Sequence, residues 1–113
     1  PVVQINPVET AMISVGIKTE FTPGHVALIH ARSGLSTKKG LAPANKVGVI
    51  DADYRGEWFV ALHNHSNHIQ VIEDGERIAQ VLFQEIEHPE FEEVEDLSET
   101  ERGTGGFGST GTK

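Results

Sequence analysis

The stretch Gly48-Val-Ile-Asp-Ala-Asp-Tyr-Arg-Gly-Glu57 predicts a β-strand that runs into a tight turn and out again. Asp51 ends the apolar part of this strand, so its carboxylate would stand on rigid backbone rather than on a mobile loop. Asp53 follows one strand period later, Tyr54 adds a flat ring, and Gly56 allows close backbone approach. The apolar residues expected to press the strand into a core are Val47, Val49 and Ile50. The stretch therefore predicts a β fold with a polar site at the end of one strand.

Further short strands are predicted on both sides of this stretch by alternating or β-rich composition. They cover residues 12–19, 25–31, 57–62, 69–72 and 77–83, with one more expected at 91–94. Asp74-Gly75 lies between two of them and predicts a hairpin turn. The one helical expectation is a short turn at 36–39. Many short strands with Gly and Asn turns indicate an all-β fold, an antiparallel sandwich or jelly roll.

The composition limits the class of protein. A chain of 113 residues makes one domain with a modest core, which should gain stability from partners. The absence of Cys excludes disulfides and thiolate metal sites. No run approaches the length of a membrane span. We therefore expect a cytoplasmic protein that does not enter a membrane, or one of the host cytoplasm or nucleus if the source is viral.

The negative charge is concentrated in one segment. The net charge is −8, and nine of the 17 Asp and Glu residues fall within residues 85–101, which contain no Lys or Arg. Removing those nine from the 17 leaves eight acids against nine Lys and Arg in the rest of the chain, so the body is nearly neutral. This balance disfavours general binding of nucleic acid, which needs a basic face. It is compatible with one small polyanion held by a few Arg side chains and a metal.

Three further segments complete a recognisable set with the stretch at 48–57. They are Arg32-Ser-Gly-Leu35, Arg77-Ile-Ala-Gln80 and Arg102-Gly-Thr-Gly-Gly-Phe-Gly-Ser-Thr-Gly111. Together the four segments resemble the trimeric deoxyuridine triphosphate nucleotidohydrolases (dUTPases), a family described by five short motifs in fixed order. The set carries the resemblance, since any one segment alone would be weak. The fifth motif, N-terminal and ending in an Asp near the metal, is not found, and because the chain opens at Pro1 we expect missing upstream residues.

The resemblance implies an architecture and an assembly. The family fold is a distorted jelly roll, and the expected division is a β domain at 1–95 followed by a Gly-rich C-terminal arm at 96–113. The resemblance also implies a homotrimer with three active sites, each assembled from segments of all three subunits. The arm would close over the active site of a neighbouring subunit. Its polar, Gly-rich composition predicts disorder when the site is empty.

The activity implied is hydrolysis of dUTP to dUMP and pyrophosphate, which limits uracil in DNA and supplies dUMP for dTMP synthesis. Asp51 matches the family Asp that directs water onto the α-phosphorus. Asp53 is the weaker candidate, because acids in turns commonly bond their own backbone. Mg²⁺ is implied by the triphosphate and would be held by phosphate oxygens and water, with no direct protein ligand.

The base and the sugar would be recognised by one part of the chain. By resemblance the amide of Asn45 contacts uracil, together with main-chain groups of the strand at 48–51, which are those of Gly48, Val49, Ile50 and Asp51. The ring of Tyr54 would pack under the deoxyribose and leave no space for a 2′-hydroxyl. A buried polar slot of this kind discriminates strongly against a wrong base.

The phosphates would be held by other parts of the chain. The predicted phosphate ligands are Arg32, Ser33, Gly34 and Gln80, and from the arm Arg102, Gly108, Ser109 and Thr110. A guanidinium fork, hydroxyls and N–H groups exposed beside Gly suit an anion. Phe107 would stack on the base once the arm folds down. Ala31 stands where the family has Pro, which bears on the stiffness of this loop.

Each of these residues also has an ordinary structural role, and two other functions stay open. One is a dCTP deaminase of the same fold, which should place a catalytic Glu near the central strand and lack the Gly-rich tail. The other is a nucleotide-gated regulatory module that acts by binding a partner protein. The stretch His63-Asn-His65-Ser-Asn-His68 has no familiar metal-ligand spacing, and we expect it to be a solvated strand end.

Overall fold

The computed structural model describes residues 2–108 and residue 111, and most of its regular structure is β-strand. The elements in chain order are β1 Val3–Ile5, β2 Thr10–Ser14, β3 His25–His30, α1 Ser33–Lys39, β4 Leu41–Pro43, β5 Gly48–Asp51, β6 Phe59–Asn64, β7 Gln70–Ile72 and β8 Gln80–Glu85. The all-β class is confirmed. In the described part of the chain, no helix is both long and apolar enough to cross a lipid bilayer.

The strands form three small sheets with antiparallel pairing. Strand β1 pairs with β7, β2 and β4 flank β6, and β5 and β8 flank β3. Each sheet turns one face inward, where apolar side chains that alternate along the strands meet. The buried cluster consists of Ile5, Ala27, Ile29, Leu35, Leu41, Trp58, Val60, Leu62, Ile72 and Ile78. The core therefore draws on strands from all three sheets and on the short helix.

The predicted hairpin at Asp74-Gly75 is wrong, although the turn itself is present. Gly75 has a φ of 82°, and the N–H of Glu76 donates to the carbonyl oxygen of Glu73 at 3.1 Å. The strands on either side do not pair with each other, since β7 joins β1 and β8 joins β3. The turn therefore carries the chain from one sheet to another.

The expectation that the whole apolar run of the central stretch is buried is also wrong. Ile50 is half-buried against the core, whereas Val49 is 58% exposed and Val47 is 39% exposed. The register explains this difference, because Val49 lies opposite Leu28 while Ile50 lies opposite Ala27 in the core cluster. Neighbouring residues of a strand point to opposite faces, so Val49 and Ile50 cannot both face the core.

The described segment after β8 leaves the body of the protein. The N–H of Ile86 donates to the carbonyl oxygen of Gly24 at 2.8 Å, and residues 87–101 are exposed without forming a strand. The strand expected at 91–94 is therefore absent, and Phe91 is fully exposed. The radius of gyration is 19.2 Å, whereas a compact domain of this length would have about 13 Å. The division at residue 95 into domain and arm stays a prediction.

Asn64 is a buried polar residue at the end of β6 whose amide is fully bonded. Its Nδ2 donates to the carbonyl oxygens of Ile5 at 2.9 Å and His68 at 2.7 Å. Its Oδ1 accepts hydrogen bonds from the N–H of Ser66 at 2.9 Å and from the Ser66 hydroxyl at 2.7 Å. This side chain therefore ties β1, β6 and the loop at 65–68 together.

We predict that Asn64→Ala lowers the free energy of unfolding by about 2–4 kcal/mol, because it leaves buried carbonyl oxygens and an N–H without partners. Urea denaturation at one fixed protein concentration measures this change. Asn67→Ala, at an exposed position in the same loop, is the matched control and should stay within about 0.5 kcal/mol of the parent protein. Equal losses in the two variants would contradict the role of Asn64.

Candidate active site

Strand β3 positions most of the predicted site residues. It pairs with β5, which contains Asp51, and with β8, which contains Gln80, and it leads directly into the segment that begins at Arg32. Asp51, the last residue of β5, lies opposite Val26 near the start of β3. Gln80, the first residue of β8, lies opposite His30 at the end of β3. The two predicted positions therefore lie near opposite ends of the same strand and on opposite sides of it.

At the end of β3, the Arg-Ser-Gly and Arg-Ile-Ala-Gln segments meet. Arg32 has an extended backbone, and α1 begins at the next residue, Ser33. The Arg32 Nη1 donates to the carbonyl oxygen of Arg77 at 3.2 Å, and the Gln80 Nε2 donates to the carbonyl oxygen of Ala31 at 2.8 Å. These bonds fix the loop at the position where the family has Pro and this chain has Ala31. We call this group, with the exposed Ser33 and Gly34, the arginine cluster.

At the start of β3, Asp51 and the turn that follows form a second group. Asp51 is exposed at the end of β5, and its carbonyl oxygen accepts a hydrogen bond from the N–H of Tyr54 at 3.1 Å. Asp53 lies within the turn and is also exposed. Of the two acids, only Asp51 belongs to a strand of the sheet. The structure therefore gives Asp51 the firmer backbone support.

The ring of Tyr54 is held in place over this turn. Its hydroxyl donates to the carbonyl oxygen of Glu57 at 2.9 Å. A Cβ added at Gly56 would lie 2.9 Å from the ring carbon Cε1 and closer still to the hydroxyl end of the ring. Glycine at position 56 therefore makes room for the Tyr54 ring.

Asn45 lies beside the first residue of β5. A Cβ added at Gly48 would lie 3.4 Å from the Asn45 Nδ2 and 3.3 Å from the Cβ of Ile29. The N–H of Val47 donates to the carbonyl oxygen of Asn45 at 2.7 Å, and Lys46 between them has a φ of 68°. This tight turn places the Asn45 amide beside the backbone of β5. The second group, which we call the aspartate cluster, consists of Asn45, Gly48, Val49, Ile50, Asp51 and Tyr54.

The two clusters are well separated within one chain. Asp51 and Gln80 differ by four residues along β3 and by two strand spacings across it. At about 3.3 Å per residue and about 4.8 Å per strand, this places their backbones roughly 16 Å apart. The residues predicted to act on one nucleotide therefore fall into two groups that a single chain does not bring together.

The arm contributes the remaining predicted residues. Arg102 donates through Nε to the carbonyl oxygen of Gly105, and Phe107 is fully exposed with a φ of 52°. Gly108 has a φ of 85°, a conformation that favours glycine. Ser109 and Thr110 lie outside the described residues. In the described part of the arm, the side chains of Arg102 and Phe107 are both exposed.

Two features of the site could not be found from side-chain patterns. The carbonyl oxygens of Arg77 and Glu57 fix Arg32 and Tyr54, and a backbone acceptor leaves no signal in residue type. An apolar row also crosses the sheet that carries Asp51. It consists of the exposed Val49, the half-buried Leu28 and the exposed Leu82, which lie opposite one another in register. The outer face of this sheet therefore combines apolar side chains with the exposed carboxylate of Asp51.

Comparisons with known proteins show the family to which the chain belongs. The sequence model of the dUTPase family matches residues 2–111. The chain is 48% identical over 112 residues to the deoxyuridine 5′-triphosphate nucleotidohydrolase of Hydrogenobaculum sp., covering 99% of this chain and 78% of that protein. It is 51% identical over 110 residues to the enzyme of that name from Corynebacterium diphtheriae, covering 96% and 72%.

Solved structures of dUTPases resemble the fold of this chain. A mutant dUTPase of Staphylococcus bacteriophage 80alpha with dUpNHpp is 31% identical and superimposes with a TM-score of 0.87, covering 98% of this chain and 81% of that one. The predicted jelly-roll-like fold is thereby confirmed. An all-β chain with these four segments in order has the fold and motifs of a deoxyuridine nucleotide hydrolase. The chain belongs to the dUTPase family.

We predict that Gly56→Ala destabilises the protein by about 1–3 kcal/mol, because the added methyl group overlaps the Tyr54 ring. The overlap disappears in a Tyr54→Ala background, where the same change should cost little. A double-mutant cycle from urea denaturation measures the coupling between the two positions. Equal costs of Gly56→Ala in both backgrounds would show that the ring does not occupy this space.

Proposed function

We propose that this chain is a dUTP diphosphatase that hydrolyses dUTP to dUMP and pyrophosphate, with Asp51 directing water onto the α-phosphorus. The observation that carries the proposal is the aspartate cluster itself. An exposed carboxylate ends a strand of the sheet, beside a Tyr ring fixed by a hydrogen bond and an Asn amide beside a buried Gly. A carboxylate on firm backbone can orient a water and accept its proton.

Strand β5 is suited to reading a pyrimidine through its backbone. Among the described strands it pairs with β3 alone, so its other edge is left for a ligand. An unpaired strand edge presents alternating N–H and C=O groups. The Asn45 amide beside Gly48 adds one donor and one acceptor. In this slot the amino group of cytosine would meet a donor and the methyl group of thymine would lack space, which favours uracil.

Discrimination against ribose would come from Tyr54. Its ring is fixed at the hydroxyl end by Glu57, and the missing side chain of Gly56 lets it pack closely over the turn. A ring held in this way cannot move aside for a 2′-hydroxyl on the sugar above it. The proposed substrate is therefore a deoxynucleotide.

The phosphates would lie against the arginine cluster and the arm. Arg32 carries five donors and uses Nη1 to bond the carbonyl oxygen of Arg77, which holds the guanidinium in one orientation. The exposed Ser33 and Gly34 add a hydroxyl and backbone N–H groups. Gln80 would have to exchange its bond to Ala31 for one to a phosphate oxygen. Arg102, Phe107 and Gly108, followed by Ser109 and Thr110, would close over the nucleotide.

The proposed assembly is a homotrimer in which each nucleotide is held by clusters from different chains. The roughly 16 Å between the backbones of Asp51 and Gln80 supports this, because it keeps the two clusters apart within one chain. The apolar row supports it as well, because Val49 at 58% and Leu82 at 55% exposure are costly to leave in water. The C-terminal arm at 96–113 would then extend to the third chain.

Mg²⁺ is the proposed cofactor. Within the described residues, no group of three or more His, Cys, Asp or Glu side chains is arranged to hold a metal ion. The proposal rests instead on the triphosphate, whose oxygens are the hard ligands that Mg²⁺ takes while it keeps much of its water. When bound, Mg²⁺ would neutralise charge on the triphosphate. None of the residues named above would hold it directly.

The proposed physiological role follows from the reaction. Removing dUTP limits uracil in DNA, and the dUMP formed is the precursor of dTMP. The substrate and both products are small soluble anions, so we propose that the protein works in the cytoplasm on free nucleotide.

Asp51→Asn should lower the rate of pyrophosphate release from dUTP by about 10²- to 10⁴-fold, because the amide cannot take a proton from water. Asp53→Asn, two residues further in the same turn, is the matched control and should stay within a few-fold of the parent enzyme. Full-length protein with Mg²⁺ is assayed for pyrophosphate and for ammonia. Equal turnover by both variants would remove Asp51 from the mechanism, and ammonia release from dCTP would indicate a deaminase.

Mixing inactive chains tests whether the site is shared. In trimers formed from equal amounts of Arg32→Ala and Asp51→Asn chains, about one quarter of the sites should take both intact clusters from different chains. Activity should therefore return on mixing. Chains with Asp51→Asn and Tyr54→Ala, both in the aspartate cluster, are the control pair and should not rescue each other. Failure of the first mixture, with trimers present, would place both clusters of a site in one chain.

A further inference from the structure

A pair of histidines, of which neither belongs to the arginine cluster or the aspartate cluster, lies where β6 ends. His63 is in β6 and His65 directly follows its last residue, and the two rings lie on the same side of the chain in contact with each other. Their ring centroids are 4.6 Å apart, with 68° between the ring planes. The backbone of His65 is held by a hydrogen bond from its N–H to the carbonyl oxygen of Gly40 at 2.7 Å. We propose that His63 and His65 form a chelating site for a divalent transition-metal ion, preferably Cu²⁺, with water as the remaining ligands.

The spacing of the rings supports chelation. An imidazole nitrogen lies about 2.0 Å from a bound metal, and the ring centroid lies roughly 1.1 Å beyond it. Two imidazoles at right angles on one ion would then have centroids about 4.5 Å apart, close to the separation of His63 and His65. Adjacent positions at right angles occur in the square-planar or tetragonal geometry of Cu²⁺ and Ni²⁺. Cu²⁺ binds most tightly of the divalent first-row ions at nitrogen ligands.

Thr10 fixes the orientation of one ring. Its Oγ1 lies 2.8 Å from the Nδ1 of His63, across the register pair that joins β2 and β6. With Nδ1–H donating to this hydroxyl, the Nε2 of His63 keeps its lone pair for a metal. A hydrogen bond to the second ring nitrogen is the usual support of a metal-binding histidine. Thr10 is therefore a positioning residue for the proposed site.

The positive charge of Lys46 opposes the binding of a cation by His63 and His65. The pKa of His65 is lowered, first by slight desolvation and then by the charges of His63 and Lys46. Lys46 is therefore close enough to act on the pair electrostatically. It has a φ of 68°, a conformation that Asn tolerates. Removing its charge by Lys46→Asn should strengthen metal binding.

The experiment is calorimetric titration of the tag-free, full-length chain with Cu²⁺, and with Ni²⁺ in parallel, in the absence of nucleotide. The parent protein should bind one ion per chain. His63→Ala and His65→Ala should each weaken binding at least about tenfold, and so should Thr10→Val, whereas Thr10→Ser should bind like the parent. His68→Ala, the third histidine of the same segment, is the matched control and should leave the affinity unchanged.

Two results would overturn the proposal. One is an affinity for Cu²⁺ that neither His63→Ala nor His65→Ala changes, which would place the ion elsewhere on the chain. The other is an equal loss on His68→Ala, which would show nonspecific uptake by exposed imidazoles. A second readout is thermal unfolding, since an ion that binds the folded state raises the midpoint. That increase should be present in the parent and absent in His65→Ala.

Discussion

The pairing of strand β3 with β5 on one side and β8 on the other determines the layout of the molecule. Asp51 pairs with a residue near the start of β3, and Gln80 pairs with the last residue of β3. The register of this one strand therefore fixes the positions of both. Antiparallel pairing sets these positions through backbone hydrogen bonds, so they do not depend on the site side chains themselves. The two clusters cannot approach each other without breaking the sheet. The separation between them within one chain is therefore set by the strand pairing of the sheet.

The same pairing explains why an apolar surface surrounds a polar site. Strand alternation turns Ala27 and Ile29 into the core and leaves Leu28 on the outer face with Val49 and Leu82. Asp51 follows Val49 by two residues and therefore shares that outer face. If a second chain covers this apolar row, the Asp51 carboxylate lies at the edge of the interface and faces protein rather than bulk water. Assembly and formation of the site would then be one event.

Much of the fold and of the candidate site could be predicted from the sequence, because the features concerned depend on neighbouring residues. The strand and turn at 48–57, the left-handed Gly75 and the space beside Gly56 all follow from residue type and spacing. The predictions of a hairpin and of a fully buried central stretch were wrong because they depend on contacts with residues far along the chain. A turn signal shows that the chain bends but not which sheet the next strand joins. Alternation shows that Val49 and Ile50 face opposite sides but not which side is the core. The bonds of Asn64 and Arg32 involve carbonyl oxygens far along the chain.

The acidic segment at 85–101 poses an electrostatic problem for an arm that is proposed to close over phosphates. Residues 85–101 carry nine acids, and Arg102 follows Glu101 directly. Fifteen residues, 87–101, lie between Arg102 and Ile86, whose N–H donates to the carbonyl oxygen of Gly24, and extended chain of that length reaches roughly 50 Å. Charges farther apart than about 8 Å are largely screened at physiological ionic strength. Only the acids next to Arg102 would therefore act on the phosphates, and the others would repel one another, which favours an extended segment long enough to reach another chain.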